Sequence, residues 1–356
     1  MKICFFNCAK VWGGGEKWHL DFALAFSQEK HDVFVVSNKN SELLKRATMH
    51  GLKTKSYSIG NLSFINLFKL FSLYFFFKRE KFDILVMNFS KDLKVAAPMS
   101  KLAKVPKIVY RRGSAIPIKN SVLNRFLFGK CLTAILANSE ATKKTILQNN
   151  PNLFPAEKIK IIYNGIDTKL CISDNKKTNQ IPVIGNLGRL VYQKGQDILI
   201  DIAEILKNRD VQCKFLIGGD GELMNELKQK TAEKKLENYI EFVGFVENPF
   251  EFMRQIDIFT LTSRGEGFGY VLAEAMLAKK PLLGFDCGSI SELIFDSENG
   301  FLIPFENKEL FADKLEELIK NPVKRQELGE KGFEIVQKKF DFEKSKQQVI
   351  KFLLNE

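Results

Sequence analysis

The sequence predicts an α/β protein of two similar parallel-sheet domains facing across a cleft. Three observations carry this: short apolar runs such as Val33-Phe34-Val35-Val36, helical periodicity between those runs, and a polar stretch at Ser173–Gln180 after which the whole pattern restarts. At 356 residues the chain is long enough for two domains of ordinary size, placed at 1–168 and 169–338. Ligands of such sheets sit at the carboxyl ends of the strands.

In chain order, Lys2–Phe6 reads as the first strand. Gly13, Gly14 and Gly15 make a turn, and Glu16–Lys30 follows as a helix. Asp32–Ser37 is a second strand and Ser41–His50 a helix. Phe82–Met87 and Lys107–Arg111 are buried strands. Thr133–Ala137 is a strand leading into a helix at Ser139–Gln148, and Lys158–Tyr163 is the last strand of this half. The second half opens with a strand at Pro182–Gly188 and a helix at Gln196–Asn208. The strand Gln212–Gly218 runs into Gly218-Gly219-Asp220-Gly221, and a helix follows at Glu222–Lys235. Ile240–Val243 and Ile256–Thr260 are strands either side of a helix at Asn248–Gln255. Pro281–Phe285 and Gly300–Pro304 are short strands, and the remainder is mostly helical.

Composition excludes several classes. Apolar content of 45% and charged content of 27% describe a soluble globular protein. Ile3–Phe6 is too short for a signal peptide core. Leu62–Phe77, the most hydrophobic stretch, is interrupted by Asn66 and Lys69 and is too short to span a bilayer. Six cysteines without a CxxC pair, and three histidines, give no zinc pattern and fit reduced thiols in the cytosol. The net charge of +12 is unevenly divided: residues 1–172 carry 28 Lys/Arg against 11 Asp/Glu, and the rest is mildly acidic. A basic half of this kind meets an anionic surface or an acidic acceptor, unless the lysines are simply solubilising charge.

Two segments carry chemistry. Glu266-Gly267-Phe268-Gly269-Tyr270 places a carboxylate before a glycine turn that feeds a helix, with Glu274 eight residues on. The helix N-terminus suits phosphate, and carboxylates beside it suit the hydroxyls of a sugar or ribose. Spacing alone is equally compatible with a capped surface helix carrying two exposed glutamates. Gly188-Arg189…Lys194-Gly195 brackets two cations that can reach one diphosphate, or are ordinary loop cations. Gly13–Gly15 is not G-x-G-x-x-G, and the second strand ends in Ser37-Asn38 without an acidic residue, which argues against NAD.

In order, Gly188-Arg189…Lys194-Gly195, Ile217-Gly218-Gly219-Asp220-Gly221, Phe242-Val243-Gly244-Phe245-Val246 and Glu266…Glu274 resemble the retaining nucleotide-sugar glycosyltransferases of family 4, which have the GT-B fold of two Rossmann-like domains. The resemblance covers nearly the whole chain. Gly13-Gly14-Gly15, Ala137–Thr142, Tyr163–Asp167, Gly284–Glu292 and Glu298–Pro304 match further landmarks. Phe340-Asp341-Phe342 resembles the point where a last helix, here 339–356, crosses back to the N-terminal domain. The resemblance implies a metal-independent hexosyltransferase with no cofactor beyond its donor, a nucleotide-diphosphate sugar. Arg189 and Lys194 would neutralise the leaving diphosphate and Glu274 would accept from ribose. Glu266 would contact the donor sugar, with backbone amides of Gly267, Phe268 and Gly269 beside it. Gly188, Phe245 and Val246 would border the nucleotide, and Gly14 and Gly15 would let backbone approach the ligand from the first domain. Uridine is the default base only because it is common in such enzymes. Retention is expected by attack on the face from which phosphate departs, the alternative being a double displacement with Glu266 as nucleophile, by analogy with retaining hydrolases. The chain departs from the family in one respect: neither Val86-Met87-Asn88-Phe89 nor Tyr110-Arg111-Arg112-Gly113-Ser114 holds the first-domain histidine many members carry, leaving Asn88 or Arg112 to fill its place.

Leu62–Lys81 mixes seven aromatic residues with Lys69, Lys78, Arg79 and Lys81, and reads either as a membrane-interface helix or as a buried helix with a basic end. A second basic cluster comprises Lys101, Lys104, Lys107, Arg111, Arg112 and Lys119. With the charge of the first half, these favour an anionic lipid-linked or lipopolysaccharide acceptor and a cytoplasmic protein peripherally bound to the inner membrane through its basic N-terminal domain. No recognised module supports nucleic acid as a partner. The competing reading is a non-catalytic nucleotide-sugar-binding protein on the same fold.

Overall fold

The computed structural model describes residues 1–10, 12–169 and 181–354. The polar stretch Ser173–Gln180 lies outside the described residues. The chain divides into two compact units: Met1–Asn164 with the stretch from Lys344 onward, and Gly165–Glu343.

The first unit is a seven-stranded parallel sheet with strand order β3-β2-β1-β4-β5-β6-β7. Its strands are β1 (Lys2–Phe6), β2 (Asp32–Ser37), β3 (Lys53–Ser56), β4 (Ile84–Met87), β5 (Lys107–Arg112), β6 (Ala134–Ala137) and β7 (Ile159–Ile161). Central strands are apolar at nearly every position because helices cover both faces; β4 is buried throughout. Helices α1 (Gly14–Gln28), α2 (Glu42–Met49), α3 (Leu67–Glu80), α4 (Ser90–Leu102), α5 (Val122–Phe126) and α6 (Glu140–Leu147) connect them. Ser41 and Ser139 cap α2 and α6, accepting from the amides of Leu44 and Thr142.

Three differences from the sequence reading have physical causes. Helix α1 starts at Gly14, inside the glycine turn. Strand β3 escaped detection because Lys53-Thr54-Lys55-Ser56 is a polar edge strand, paired on one side only. Helix α4, with Pro98 inside it, also went unread; Asp92 ties its start by accepting from the Phe89 and Cys8 amides. Helix α3 proves to have two apolar faces: Leu73, Phe76 and Phe77 are buried, while Phe68, Phe71 and Phe75 stand exposed. The second basic cluster lies only partly on the surface: Lys101, Lys104 and Lys119 are exposed. Arg111 and Arg112 are buried, and Lys107 donates to the Phe352 carbonyl.

The second unit is a six-stranded parallel sheet of order β10-β9-β8-β11-β12-β13. Its strands are β8 (Val183–Leu187), β9 (Lys214–Gly218), β10 (Ile240–Gly244), β11 (Ile258–Leu261), β12 (Leu282–Phe285) and β13 (Gly300–Ile303). The helices are α7 (Gln196–Asn208), α8 (Met224–Glu233), α9 (Pro249–Met253), α10 (Tyr270–Leu277), α11 (Lys308–Lys320) and α12 (Pro322–Lys339). The last helix, α13 (Phe342–Leu354), groups from Lys344 with the first unit, where Ser345 Oγ donates to the Tyr163 carbonyl at 2.8 Å.

In both units the strand order reverses beside the first strand. β1 lies between β2 and β4, and β8 between β9 and β11. Connections leave such a point in opposite directions and open a crevice at the carboxyl ends. In the second unit this crevice is tightly built: Gly195 has φ +66°, and a Cβ there would lie 2.0 Å from the Thr262 carbonyl oxygen. Gly195→Ala is therefore expected to destabilise the protein by about 1–3 kcal/mol or more, read as a lower urea midpoint at unchanged slope.

Candidate active site

The second unit assembles its polar residues at the β8/β11 reversal. Lys194 leaves the loop after β8, and Glu266 the loop after β11. Their side chains meet with Lys194 Nζ 2.5 Å from Glu266 Oε1, the pair being largely shielded from solvent. Ser263 Oγ donates to the same oxygen at 2.7 Å. Oε1 is thus fully engaged, and Oε2 has no partner among the described residues. The two loops are stitched further: Gln193 Nε2 donates to the Gly265 carbonyl at 2.7 Å, and the Arg264 amide to the Gln193 carbonyl at 2.8 Å. Arg264 forks onto Asp197 of α7 at 2.8 and 2.6 Å and stacks on the Tyr192 ring.

The loop after β12 closes the third side. Gly288, at φ +59°, packs so closely that a Cβ would lie 2.3 Å from the Glu266 carbonyl oxygen, and the Ser289 amide donates to that oxygen at 3.2 Å. Gly269, at φ +80°, then starts α10, whose first turn carries no acidic residue and no side-chain cap. The Leu272 amide donates back to the Gly269 carbonyl at 2.9 Å, and the positive end of the helix dipole at this start favours an anion. Gly267 and Gly269 are buried, and the Phe268 ring turns inward against Phe340 at 5.6 Å, so this residue offers its backbone. Glu274 is half-buried in the middle of α10.

Other residues singled out in the sequence line the same strand ends. The Gly188 amide donates to the Gly218 carbonyl at 3.0 Å, and Gly188 lies within 3.8 Å of the Lys194 side chain if given a Cβ. Val246 packs beside Gly218, and Phe245 is 77% exposed at the end of β10. Arg189 is exposed and has no acidic partner among the described residues. Sequence reasoning missed Ser263 and Gln196. Gln196 is buried beside Gly188, and its Oε1 has no donor among the described residues.

The first unit repeats the arrangement at the β1/β4 reversal. Gly14 is exposed, and Gly15 packs so tightly that a Cβ would lie 2.6 Å from Asn88 Nδ2. Buried Arg111 donates to Asn88 Oδ1 and to Asn164 Oδ1, each at 3.0 Å. Arg111 thereby fixes the orientation of the Asn88 amide, leaving Nδ2 as a donor beside the glycine turn with no acceptor among the described residues. Arg112 alternates to the other face of β5, where it donates to Tyr110 Oη and the Ile116 carbonyl. Asn88, not Arg112, therefore stands at the strand reversal. His19 is a buried structural residue: Nδ1 lies 3.0 Å from the Gly15 carbonyl, and the ring packs edge-on to Phe5. Among the described residues no three His, Cys, Asp or Glu side chains gather in a way that could hold a metal ion.

Residues 12–170 match the sequence profile of Glycosyltransferase Family 4, and residues 170–335 that of Glycosyl transferases group 1. An uncharacterized glycosyltransferase of Methanocaldococcus jannaschii is 31% identical over 256 residues, covering 70% of this chain and 68% of the relative. The N-acetylgalactosamine-N,N'-diacetylbacillosaminyl-diphospho-undecaprenol 4-alpha-N-acetylgalactosaminyltransferase of Campylobacter jejuni is 28% identical over 70% of this chain and 67% of its own. The crystal structure of Anabaena HepE in complex with UDP-glucose superposes with a TM-score of 0.85 at 26% identity over the whole of both chains. The chain belongs to the family 4 glycosyltransferases and has their GT-B fold of two Rossmann-like domains.

The glycine turn of the first unit has a pH signature. Burial, and secondarily the Arg111 charge, push the His19 pKa from 6.5 down to about 3. The unfolded chain therefore binds more protons than the folded one between those values, so stability falls as pH drops below about 6.5. Urea midpoints of wild type and His19→Gln will show the wild type losing ground to the variant between about pH 7 and pH 5. A gap independent of pH would show that His19 does not titrate in this way.

Proposed function

We propose that the protein is a retaining hexosyltransferase that moves a sugar from a nucleotide-diphosphate donor, taken as UDP, to a hydroxyl of a membrane-associated acceptor. The observation that carries this reading is the meeting of Lys194 with Glu266 beside the uncapped start of α10. A diphosphate placed there has two cationic side chains, Arg189 and Lys194, and the amides of Gly267 to Gly269 within the same strand-end crevice. Oε2 of Glu266 is left to accept from a sugar hydroxyl. Glu274 takes ribose hydroxyls, Gly188 and Val246 border the nucleotide, and the exposed Phe245 ring flanks the base. In the first domain, Gly14 and Gly15 let backbone approach the phosphates or the acceptor, with the Asn88 amide beside them. The UDP-glucose bound by HepE supports the donor class.

The proposed chemistry uses charge placement. The bond from the sugar's anomeric carbon to the diphosphate oxygen breaks, leaving positive charge on the sugar and negative charge on the diphosphate. The acceptor oxygen bonds to the same face, and its proton passes to the departing phosphate oxygen. Products are the glycoside and the nucleoside diphosphate. Fixed cations and amides stabilise the separated charge without having to reorganise. Glu266 is held by an ammonium and a hydroxyl, which makes its carboxylate a weak nucleophile; this favours same-face attack over a covalent intermediate. We assign the neutralisation of the leaving group to these side chains rather than to a metal or other cofactor.

The acceptor reading rests on the basic first half and on the exposed aromatic face of α3. A lipopolysaccharide core or another envelope glycan on an anionic lipid fits both, and the Campylobacter relative is named for a diphospho-undecaprenol substrate. No helix among the described residues is long and apolar enough to cross a membrane. Peripheral attachment at the cytoplasmic face of the inner membrane is the corresponding location.

The test is nucleotide release from a panel of UDP-, GDP- and ADP-sugars, with and without EDTA. One donor is expected to be turned over slowly, insensitive to EDTA. Arg189→Ala and Lys194→Ala are each expected to lower that rate about 100- to 1,000-fold, the size of effect seen when one oxyanion donor is removed. Binding of a donor without release, in the presence of candidate acceptors, would instead indicate a non-catalytic protein.

A further inference from the structure

The outer face of α3 is a physical anomaly. Leu62, Ile65, Leu67, Phe68, Phe71 and Phe75 are each 59% to 90% exposed and run along one contiguous segment. Phe68, Phe71 and Phe75 follow the three- and four-residue spacing of a helix stripe, opposite the buried stripe of Leu73, Phe76 and Phe77. Surface helices ordinarily turn polar residues outward, and an apolar face of this size marks an interaction site. The surrounding charge is of one sign: between Glu42 and Glu80 the chain has no acidic residue but seven basic ones.

A cavity of about 400 Å³ adjoins this ridge at the carboxyl ends of β1, β2 and β3. Lys10 and Lys39 line it with Asn38, Ser58 and Gly60. Its walls are fixed by Asn38, which is buried and rivets three loops. Asn38 Nδ2 donates to the Cys8 carbonyl at 2.5 Å, and its Oδ1 accepts from the Ile59 amide at 3.0 Å. The wall runs directly into the ridge, because the Gly60 amide donates to Ser63 Oγ at 2.9 Å and Lys69 Nζ donates to the Ser58 carbonyl at 2.6 Å.

We propose that ridge and cavity form one docking surface for an anionic bilayer. The aromatic side chains of α3 enter the boundary between headgroups and acyl chains, and Lys10 and Lys39 hold the phosphate of a single lipid standing in the cavity. The occupant is a lipid phosphate, chosen over a soluble anion because the ridge has no use for a soluble ligand. It is chosen over a protein partner because the charge around an apolar protein contact need not be of one sign. This deepens the membrane-acceptor reading above by naming the surface and the headgroup chemistry.

The experiment is flotation of the full chain with three kinds of vesicle: phosphatidylcholine alone, phosphatidylcholine with phosphatidylglycerol, and phosphatidylcholine with phosphatidic acid. The protein is expected to float with both anionic vesicles, best with phosphatidic acid, and to stay behind with phosphatidylcholine. Phe68→Ser/Phe71→Ser/Phe75→Ser should reduce flotation at least ten-fold with both anionic vesicles. Lys10→Gln/Lys39→Gln should keep flotation with phosphatidylglycerol but lose the preference for phosphatidic acid, by about five-fold per lysine. Thermal midpoints equal to wild type establish that both variants are folded. The proposal is overturned if wild type ignores anionic vesicles or the aromatic variant floats unchanged. It also fails if the lysine variant keeps the preference, or if inorganic phosphate at the same phosphate concentration displaces the protein as well as lipid does. Nucleotide release is measured on the same preparations, so loss of flotation with turnover intact leaves the donor reading standing.

Discussion

The contact between Lys194 and Glu266 is the constraint on which the second unit depends. A largely shielded ion pair is costly, because both charges leave water and their attraction returns that cost only with good geometry. Ser263 contributes to that geometry by holding the same carboxylate oxygen. The pair joins the loop after β8 to the loop after β11, while Gly195 and Gly288 bring the neighbouring backbones within contact of Thr262 and Glu266. A larger residue at either glycine would push the loops apart. The arrangement thus fixes the Lys194 ammonium in the crevice, where the proposed function would have it meet a diphosphate.

The same geometry appears twice. Each sheet reverses its strand order beside its first strand, and each reversal is flanked by a glycine-rich loop and a polar residue from the next strand but two. In the first unit the pair is Gly15 and Asn88, in the second Lys194 and Glu266. The contact between Gly15 and Asn88 is uncharged, with the buried Arg111 behind it, and the contact between Lys194 and Glu266 is an ion pair. Arg111 takes part without exposure: it is buried over Trp18, holds Asn88 and Asn164, and so acts on the turn through the Asn88 amide.

The buried strands and their alternation with helices could be read directly, because β1, β2 and β4 carry uninterrupted apolar runs such as Ile3–Phe6, Val33–Val36 and Ile84–Met87. The motif order around Glu266 and Lys194 was equally readable, since glycines with positive φ sit where the loops must pack. What could not be read depends on side chains meeting across the sequence. Ser263 and Gln196 carry no local signal. The roles of Asn88 and Arg112 separate only once β5 places Arg111 and Arg112 on opposite faces. Strand β3 has no apolar pattern because it is a sheet edge. For α3, composition alone left burial and exposure open. The answer is both, since Phe68, Phe71 and Phe75 form one helical stripe and Leu73, Phe76 and Phe77 form another on the opposite side.

Lys194 and Glu266 are proposed to divide the donor between them, the lysine holding the diphosphate and the carboxylate the sugar. Calorimetric titration of wild type, Lys194→Met and Glu266→Gln with UDP and with the preferred UDP-sugar tests this most directly. Lys194→Met should lose affinity for both ligands. Glu266→Gln should keep its affinity for UDP and lose the extra affinity that the sugar confers. If Glu266→Gln loses UDP as severely as Lys194→Met does, the pair acts only as a structural clasp, and the proposed division of labour is wrong.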